Sequence, residues 1–152
     1  GFVGLGAPHW DPYGTGIMVG ITRGTTQGHI SRAALEAIAL QNLDILDTME
    51  KDSGIKITEL RVDGGATANN LLLQIQANVA NIKIIRPKIT ETTAQGAAFL
   101  AGLATGYWKD IQEIKKIWEP EKIFSPQSDP NATKMRKNWK KAIDRSKNWI
   151  SA

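Results

Sequence analysis

The sequence predicts an α/β fold, in which short strands alternate with helices around one core. Short apolar runs at Leu60–Val62 and Lys83–Arg86 are bounded by glycine or proline, which is typical of strands. Segments with apolar residues at helical spacing follow them, at Asn69–Asn81 and Thr93–Thr105. A chain of 152 residues with 41% apolar and 22% charged residues is long enough for one domain with a buried core.

The N-terminal third supplies the elements that precede these strands and helices. Residues 1–16 are rich in glycine and proline but carry large apolar groups, so we expect a structured loop. Ile17–Thr22 is predicted to be a short strand. A long helix over Ser31–Ser53 follows, packed on both sides because its apolar residues occupy more than one face. Gly54 is expected to end that helix.

The C-terminal half adds three predictions. Thr92 to Gln95 fits a capping box for the Thr93–Thr105 helix, whose small residues would let another backbone approach closely. A turn of helix is expected at Ile111–Lys115, and an irregular stretch at Trp118–Asp129. The small residues of the Thr93–Thr105 helix also suggest that this helix backs the sheet and holds the preceding turn in place. These residues are Gly96, Ala97, Ala98, Ala101 and Gly102.

The basic charge of the chain is concentrated at its C-terminal end. Residues 129–152 contain seven Lys/Arg and two Asp, a net charge of +5. The first 128 residues contain 12 Lys/Arg and 13 Asp/Glu, a net charge of −1. We predict a terminal basic helix over residues 129–150, starting with Asp129-Pro130. Its apolar stripe favours packing over nucleic-acid binding. The stripe consists of Met135, Trp139, Ile143 and Ile150.

Several function classes are disfavoured by composition. The absence of cysteine excludes disulfides and thiolate metal sites, and it suits a cytoplasmic protein. The longest apolar run, Ala97–Ala104, is too short to span a bilayer. His9 and His29 lack the spacing of paired metal ligands, so no metal site is predicted. Asp11 is expected to form turn hydrogen bonds.

The main candidate site is the turn Asp63-Gly64-Gly65 with Asn69 at the following helix start. A strand, a glycine turn and a helix start together present backbone N–H groups and the positive end of a helix dipole to a phosphorylated ligand. The residues alone leave two interpretations open. The segment is either a nucleotide contact or an ordinary strand-to-helix turn in which Asn69 is only an N-cap. Neither a Walker A motif nor a complete dinucleotide fingerprint is present.

Four segments together resemble the FGGY carbohydrate kinases. Gly4–Pro12 (Gly-Leu-Gly-Ala-Pro-His-Trp-Asp-Pro) resembles a segment that distinguishes the glycerol kinases within that family. Val19–Gly24, continuing through His29-Ile30, resembles the family's C-terminal signature. Arg61–Ala66 with Asn69 resembles its adenosine motif, and Glu91–Ala98 resembles the segment that packs the last core helix.

The resemblance implies an actin-like ATPase fold of the ribonuclease-H type, with residues 1–152 forming the C-terminal part of the second domain. It implies ATP and Mg²⁺ as cofactors, with Gly64, Gly65 and Asn69 binding the adenine nucleotide. In the family, the catalytic base and the glycerol contacts lie upstream of the position that matches Gly1, so no catalytic residue is assigned. The start at Gly1 suggests a fragment, which we expect to be inactive alone.

The function implied by the resemblance is ATP-dependent phosphorylation of glycerol to glycerol 3-phosphate by the parent enzyme. Two alternatives stay open: another FGGY kinase acting on a polyol or ketose, or a non-catalytic actin-like nucleotide-binding module. The expected partners are ATP or ADP and glycerol, with no nucleic acid and no membrane span. A homo-oligomer in the cytoplasm is expected.

Overall fold

A computed structural model describes residues 3–150 of the chain. It confirms the α/β class, with five α-helices, one 3₁₀ turn and three strands in the described part. The strands are β1 (Glu59–Arg61), β2 (Lys83–Pro87) and β3 (Pro120–Phe124). The helices are α1 (Gln27–Ser53), α2 (Asn70–Ala80), α3 (Thr92–Ala104), α4 (Ile111–Lys115) and α5 (Ala132–Ser146). None of the helices described is long and apolar enough to cross a membrane.

The strands form one sheet in the order β1-β2-β3. β1 and β2 are parallel, with Leu60 opposite Ile84, and α2 is the crossover between them. β3 runs antiparallel to β2, with Phe124 opposite Ile84. The prediction of an irregular stretch at Trp118–Asp129 is therefore wrong for its first half. Prolines bound that strand and most of it is exposed, so it lacks the alternating pattern that predicts a strand.

Helix α2 lies at the centre of the core, with one face toward the helices and the other toward the sheet. The helix-facing cluster is Ala39, Leu40, Leu43, Leu72, Ile75 and Val79. The sheet-facing cluster is Leu73, Ala77, Ile84 and Phe124. Because α2 is packed on both sides, the chain segment immediately before it is attached to a firmly packed helix.

Helix α1 begins four residues earlier than predicted. Thr26 and His29 form a capping box, in which the Thr26 N–H donates to His29 Nδ1 at 3.1 Å. The helix ends at Ser53 as predicted, with Gly54 in the left-handed conformation (φ 69°). In the described residues one face of α1 packs against α2. Ile38 and Met49, which also belong to α1, are exposed. The expectation of packing on both sides is not met there.

The predicted strand at Ile17–Thr22 is not formed in the described structure. The segment has no regular secondary structure and its side chains are largely solvent-exposed, with Met18 73% and Ile21 63% exposed. Within the described residues, its hydrogen bonds are local ones between Thr22 and Thr25. A strand exists only when a neighbour pairs with it, and the described residues place none beside this segment.

Helix α3 begins at Thr92, one residue before the predicted start, and its predicted capping box is absent. The N-cap position is Glu91, which makes no side-chain cap, and the Thr92 hydroxyl donates instead to Asp63. At Gly102 the close neighbour is the Trp108 indole rather than another backbone. In the described residues α3 has no extensive contact with a strand, so the prediction that it backs the sheet is not borne out there, whereas its first residue Thr92 does bind the turn at Asp63.

The terminal helix is shorter than predicted at both ends. α5 spans Ala132–Ser146 rather than residues 129–150, and Asp129 bonds the Asn131 N–H instead of capping the helix. Three stripe residues pack as predicted, namely Met135, Trp139 and Ile143. Ile150 lies beyond the helix and is 55% exposed. In the segment after α5, the Asn148 N–H donates to the Asp11 carboxylate. Residues 1–2 of the predicted N-terminal loop lie outside the described range.

Candidate nucleotide-binding turn

The segment between β1 and α2 folds as a glycine turn followed by a single 3₁₀ turn, Gly65–Ala68. Gly64 has φ 81° and ψ 168°, a combination that is nearly restricted to glycine. The Thr67 N–H and hydroxyl both donate to the Gly64 carbonyl, at 3.1 and 2.7 Å. The sequence prediction of a strand, a glycine turn and a helix start is confirmed, with each boundary within one residue.

Gly65 stands at the exposed side of this turn. Within the part of the chain described, no backbone carbonyl accepts a hydrogen bond from the N–H of Gly65 or Ala66. A Cβ added at Gly65 would meet no atom within 4 Å, and its φ is not in the positive range. The Gly64 N–H, by contrast, is bound to the Thr90 carbonyl at 3.1 Å. The free donors of the turn therefore belong to Gly65 and Ala66, not to Gly64.

Asn69 is the N-cap of α2. Its Oδ1 accepts from the Leu72 N–H at 3.1 Å, and its own N–H donates to Ala66. The N-cap interpretation is thus confirmed as one role of the residue. The side chain is exposed, and its amide Nδ2 keeps two donors that the cap does not use. Capping and ligand binding through Nδ2 are compatible, since they use different atoms.

Two contacts tie the turn to the start of α3. The Thr92 hydroxyl donates to the Asp63 carboxylate, and Thr90 accepts from the Gly64 N–H. Thr92 is the first residue of α3 and Thr90 lies just before that helix, so both residues are distant from the turn in sequence. They hold the first half of the turn from the side of the sheet where β2 ends.

A third contact reaches the turn from inside the sheet. Arg86 on β2 is only 9% exposed, and its Nη1 donates to the Thr67 carbonyl at 2.7 Å. Its Nε donates to the Glu121 carboxylate on β3, and this hydrogen bond lowers the pKa of Glu121. From the sequence, Arg86 is predicted only to end a strand. The sequence signal for a structural role of Arg86 is its position in a strand, between Ile85 and Pro87.

A groove of about 370 Å³ lies on the α1 side of the turn. Its walls are mainly apolar and include Leu60, Val62 and Met49, and Asp63 and Thr67 also line it. Gly64, Gly65 and Asn69 are not among its lining residues. The three predicted site residues are thus brought together on the open face of the turn, rather than inside a cavity.

The other polar candidates have structural partners. His9 Nε2 and Trp139 Nε1 both contact the Asp44 carboxylate, at 3.2 and 2.7 Å, beside a cavity of about 360 Å³. Asp11 accepts hydrogen bonds from the N–H groups of Tyr13 and Asn148, which confirms the prediction of turn hydrogen bonding. Across residues 3–150, no group of three or more histidines and carboxylates is placed to hold a metal ion.

Residues 1–105 match the family model described as the FGGY family of carbohydrate kinases, C-terminal domain. The chain therefore belongs to the FGGY family of carbohydrate kinases. The matched range contains α1, α2 and the turn between β1 and α2, so the candidate site lies within the family's domain.

Glycerol kinases are among the curated proteins that match nearly the whole chain. The chain is 57% identical over 150 residues to a glycerol kinase of Rhodopirellula baltica, and 59% identical over 152 residues to one of Nitratidesulfovibrio vulgaris. These alignments cover 98% and 99% of the chain but 28% and 31% of the relatives. The chain thus spans about three tenths of the length of the curated relatives it matches.

Solved structures show the same fold. A crystal structure of Plasmodium falciparum glycerol kinase with ADP superimposes with a TM-score of 0.84 at 35% identity, covering 99% of this chain and 30% of that one. A ligand-bound xylulose kinase from Lactobacillus acidophilus gives a TM-score of 0.70 at 26% identity, covering 92% and 27%. The predicted actin-like fold class is confirmed by these likenesses.

Proposed function

We propose that this chain is part of an enzyme that transfers the γ-phosphoryl group of ATP to glycerol, giving glycerol 3-phosphate. The observation that carries the proposal is the identity of 57–59% to glycerol kinases along nearly the whole chain. The likeness to a xylulose kinase is much weaker, at 26% identity. This difference favours glycerol over a ketose as the acceptor.

Within that enzyme, the turn after β1 forms one wall of the adenine-nucleotide site. Gly65 allows the nucleotide to approach the backbone, and the free N–H groups of Gly65 and Ala66 face it. Gly64 supplies the backbone conformation that displays them, and Asn69 adds the donors of its Nδ2. The related glycerol kinase from Plasmodium falciparum was crystallised with ADP, which supports a nucleotide as the ligand.

Phosphoryl transfer depends mainly on positioning and on neutralising the charge of the phosphates. Mg²⁺ bound to the nucleotide would supply much of that neutralisation. We assign Mg²⁺ no ligand in this chain. We likewise assign this chain no catalytic base. Its role is to bind and orient the phosphoryl donor.

The acceptor is tested by comparing glycerol and xylulose in ATP-dependent phosphorylation by the intact protein that contains this chain. We expect glycerol to be preferred by kcat/KM. A preference for xylulose would support another FGGY kinase. Absence of transfer to either acceptor, with retained nucleotide binding, would support the non-catalytic actin-like module.

The nucleotide site is tested by enlarging Gly65. A Cβ added at Gly65 meets no protein atom within 4 Å, so we expect Gly65→Ala and Gly65→Val to retain the fold and to intrude on the ligand. We expect the KM for ATP to rise with side-chain size while the KM for glycerol is unchanged. Gly6→Val is the matched control, because Gly6 also faces open space but lies in another loop. An unchanged KM for ATP in Gly65→Val would refute the assignment.

Three further parts of the proposal concern the whole protein. Residues 1–152 form part of the kinase's second domain, with the segment after residue 131 adding the basic helix α5. The chain alone is expected to be inactive, since domain closure normally completes such a site. We propose a homo-oligomer in the cytoplasm, and sedimentation of the intact protein would test the oligomeric state.

A further inference from the structure

We propose that Arg86 is a positioning residue for nucleotide binding, which holds the 3₁₀ turn Gly65–Ala68 in its binding conformation. The inference rests on the proposed nucleotide site but concerns a residue outside it. Arg86 Nη1 donates to the Thr67 carbonyl at 2.7 Å, and Nε donates to Glu121. The guanidinium group therefore links β2 and β3 to the turn with one side chain.

The Thr67 carbonyl is an effective point at which to hold this turn. The N–H and hydroxyl of Thr67 already bind the Gly64 carbonyl, so fixing Thr67 also fixes Gly64. Thr67 lies midway between Gly65 and Asn69, the two residues proposed to face the nucleotide. Since Thr67 is itself only 5% exposed, water does not readily replace the arginine.

The chemistry of arginine suits this role. Its planar fork of donors can bind two acceptors in fixed directions at once, whereas the ammonium of lysine is a single point charge. The Arg86 side chain is 11% exposed while its partner Glu121 is 46% exposed, so the ion pair is buried on the arginine side only. The Phe124 ring lies 5.6 Å from the guanidinium carbon and helps to fix the plane of the fork.

A neighbouring ion pair provides a matched control. Lys88 follows β2 directly and binds Glu119, just before β3, so this pair joins the same two strands. Among residues 3–150, neither member of this pair forms a hydrogen bond with the 3₁₀ turn. A general effect on strand pairing would appear in Lys88→Gln, whereas an effect on the turn would appear only in variants of Arg86.

The test measures ATP and glycerol kinetics of the intact protein in Arg86→Met, Arg86→Lys and Lys88→Gln, with ADP titration by calorimetry in parallel. For both Arg86 variants we expect the KM for ATP and the Kd for ADP to rise about tenfold, as for loss of one hydrogen bond to a charged group. The kcat should change by less than about threefold and the KM for glycerol should be unchanged. Lys88→Gln should match the wild type.

A purely structural role would lower the active fraction without changing the KM for ATP. An ATP KM within about twofold of wild type in Arg86→Lys would overturn the proposal, as would an equal rise in Lys88→Gln. If Arg86→Met does not fold, Arg86→Lys decides, because it retains a charge for Glu121. If the wild type does not phosphorylate glycerol, the proposed function fails, and ADP titration of the same variants still tests Arg86. Wild type that also fails to bind ADP overturns both.

Discussion

The two roles of Asn69 can be separated by substitution, because the structure assigns them to different atoms. Oδ1 caps α2 by accepting from the Leu72 N–H at 3.1 Å, and Nδ2 is left to bind the nucleotide. Asn69→Asp and Asn69→Ser retain an acceptor for the cap but remove the amide donors. Asn69→Ala removes both functions. The neutral serine variant also controls for the charge that aspartate brings near the phosphates.

The expected magnitudes follow from these contacts. Asn69→Asp and Asn69→Ser should weaken nucleotide binding by about 1–2 kcal/mol, or roughly 5- to 30-fold, as for loss of one hydrogen bond. Their cap should persist. Asn69→Ala should show a similar loss of binding and should also destabilise the first turn of α2 by about 0.5–2 kcal/mol.

Two assays on the intact protein report the two roles. Calorimetric titration with ADP measures the binding loss, and hydrogen exchange at the Leu72 amide measures the cap. We expect faster exchange at Leu72 only in Asn69→Ala, and weaker binding in all three variants. Wild-type affinity in Asn69→Asp and Asn69→Ser, with fast exchange in Asn69→Ala, would show that Asn69 is only an N-cap.

Three other changes test the local physics. Gly102→Ala should lower thermal stability, because the added Cβ would lie 2.1 Å from the Trp108 ring; an unchanged melting temperature would contradict this packing. Gly64→Ala should cost about 1–3 kcal/mol in denaturant unfolding, since its backbone conformation is unfavourable for alanine, and a loss near zero would show that the turn adopts another conformation. Arg86 lowers the folded-state pKa of Glu121 from 4.5, so ionised Glu121 stabilises the fold above pH 4.5. The difference in melting temperature between wild type and Glu121→Gln should therefore disappear as the pH falls below 4.5, and a difference that grows in acid would contradict the assignment.

The sequence by itself determined the turn and the elements on either side of it. The backbone angle of Gly64 and the cap that Asn69 provides to Leu72 are completed within a few residues, so their pattern is visible in the chain. The same is true of the end of α1 at Gly54, where a left-handed glycine stops the helix. The apolar face of α2 was likewise predictable, because helical spacing alone aligns Leu72 with Ile75 and Val79.

The tertiary structure decided what holds the turn and which segments pair. Arg86 and Thr92 reach the turn from 19 and 29 residues away in sequence, and no local pattern states that they meet it. Pairing with β2 also makes β3 a strand, whereas Ile17–Thr22 has no neighbouring strand in the described residues and remains unpaired. A local hydrogen bond is encoded by spacing, but a partner distant in sequence is chosen only when the chain has packed.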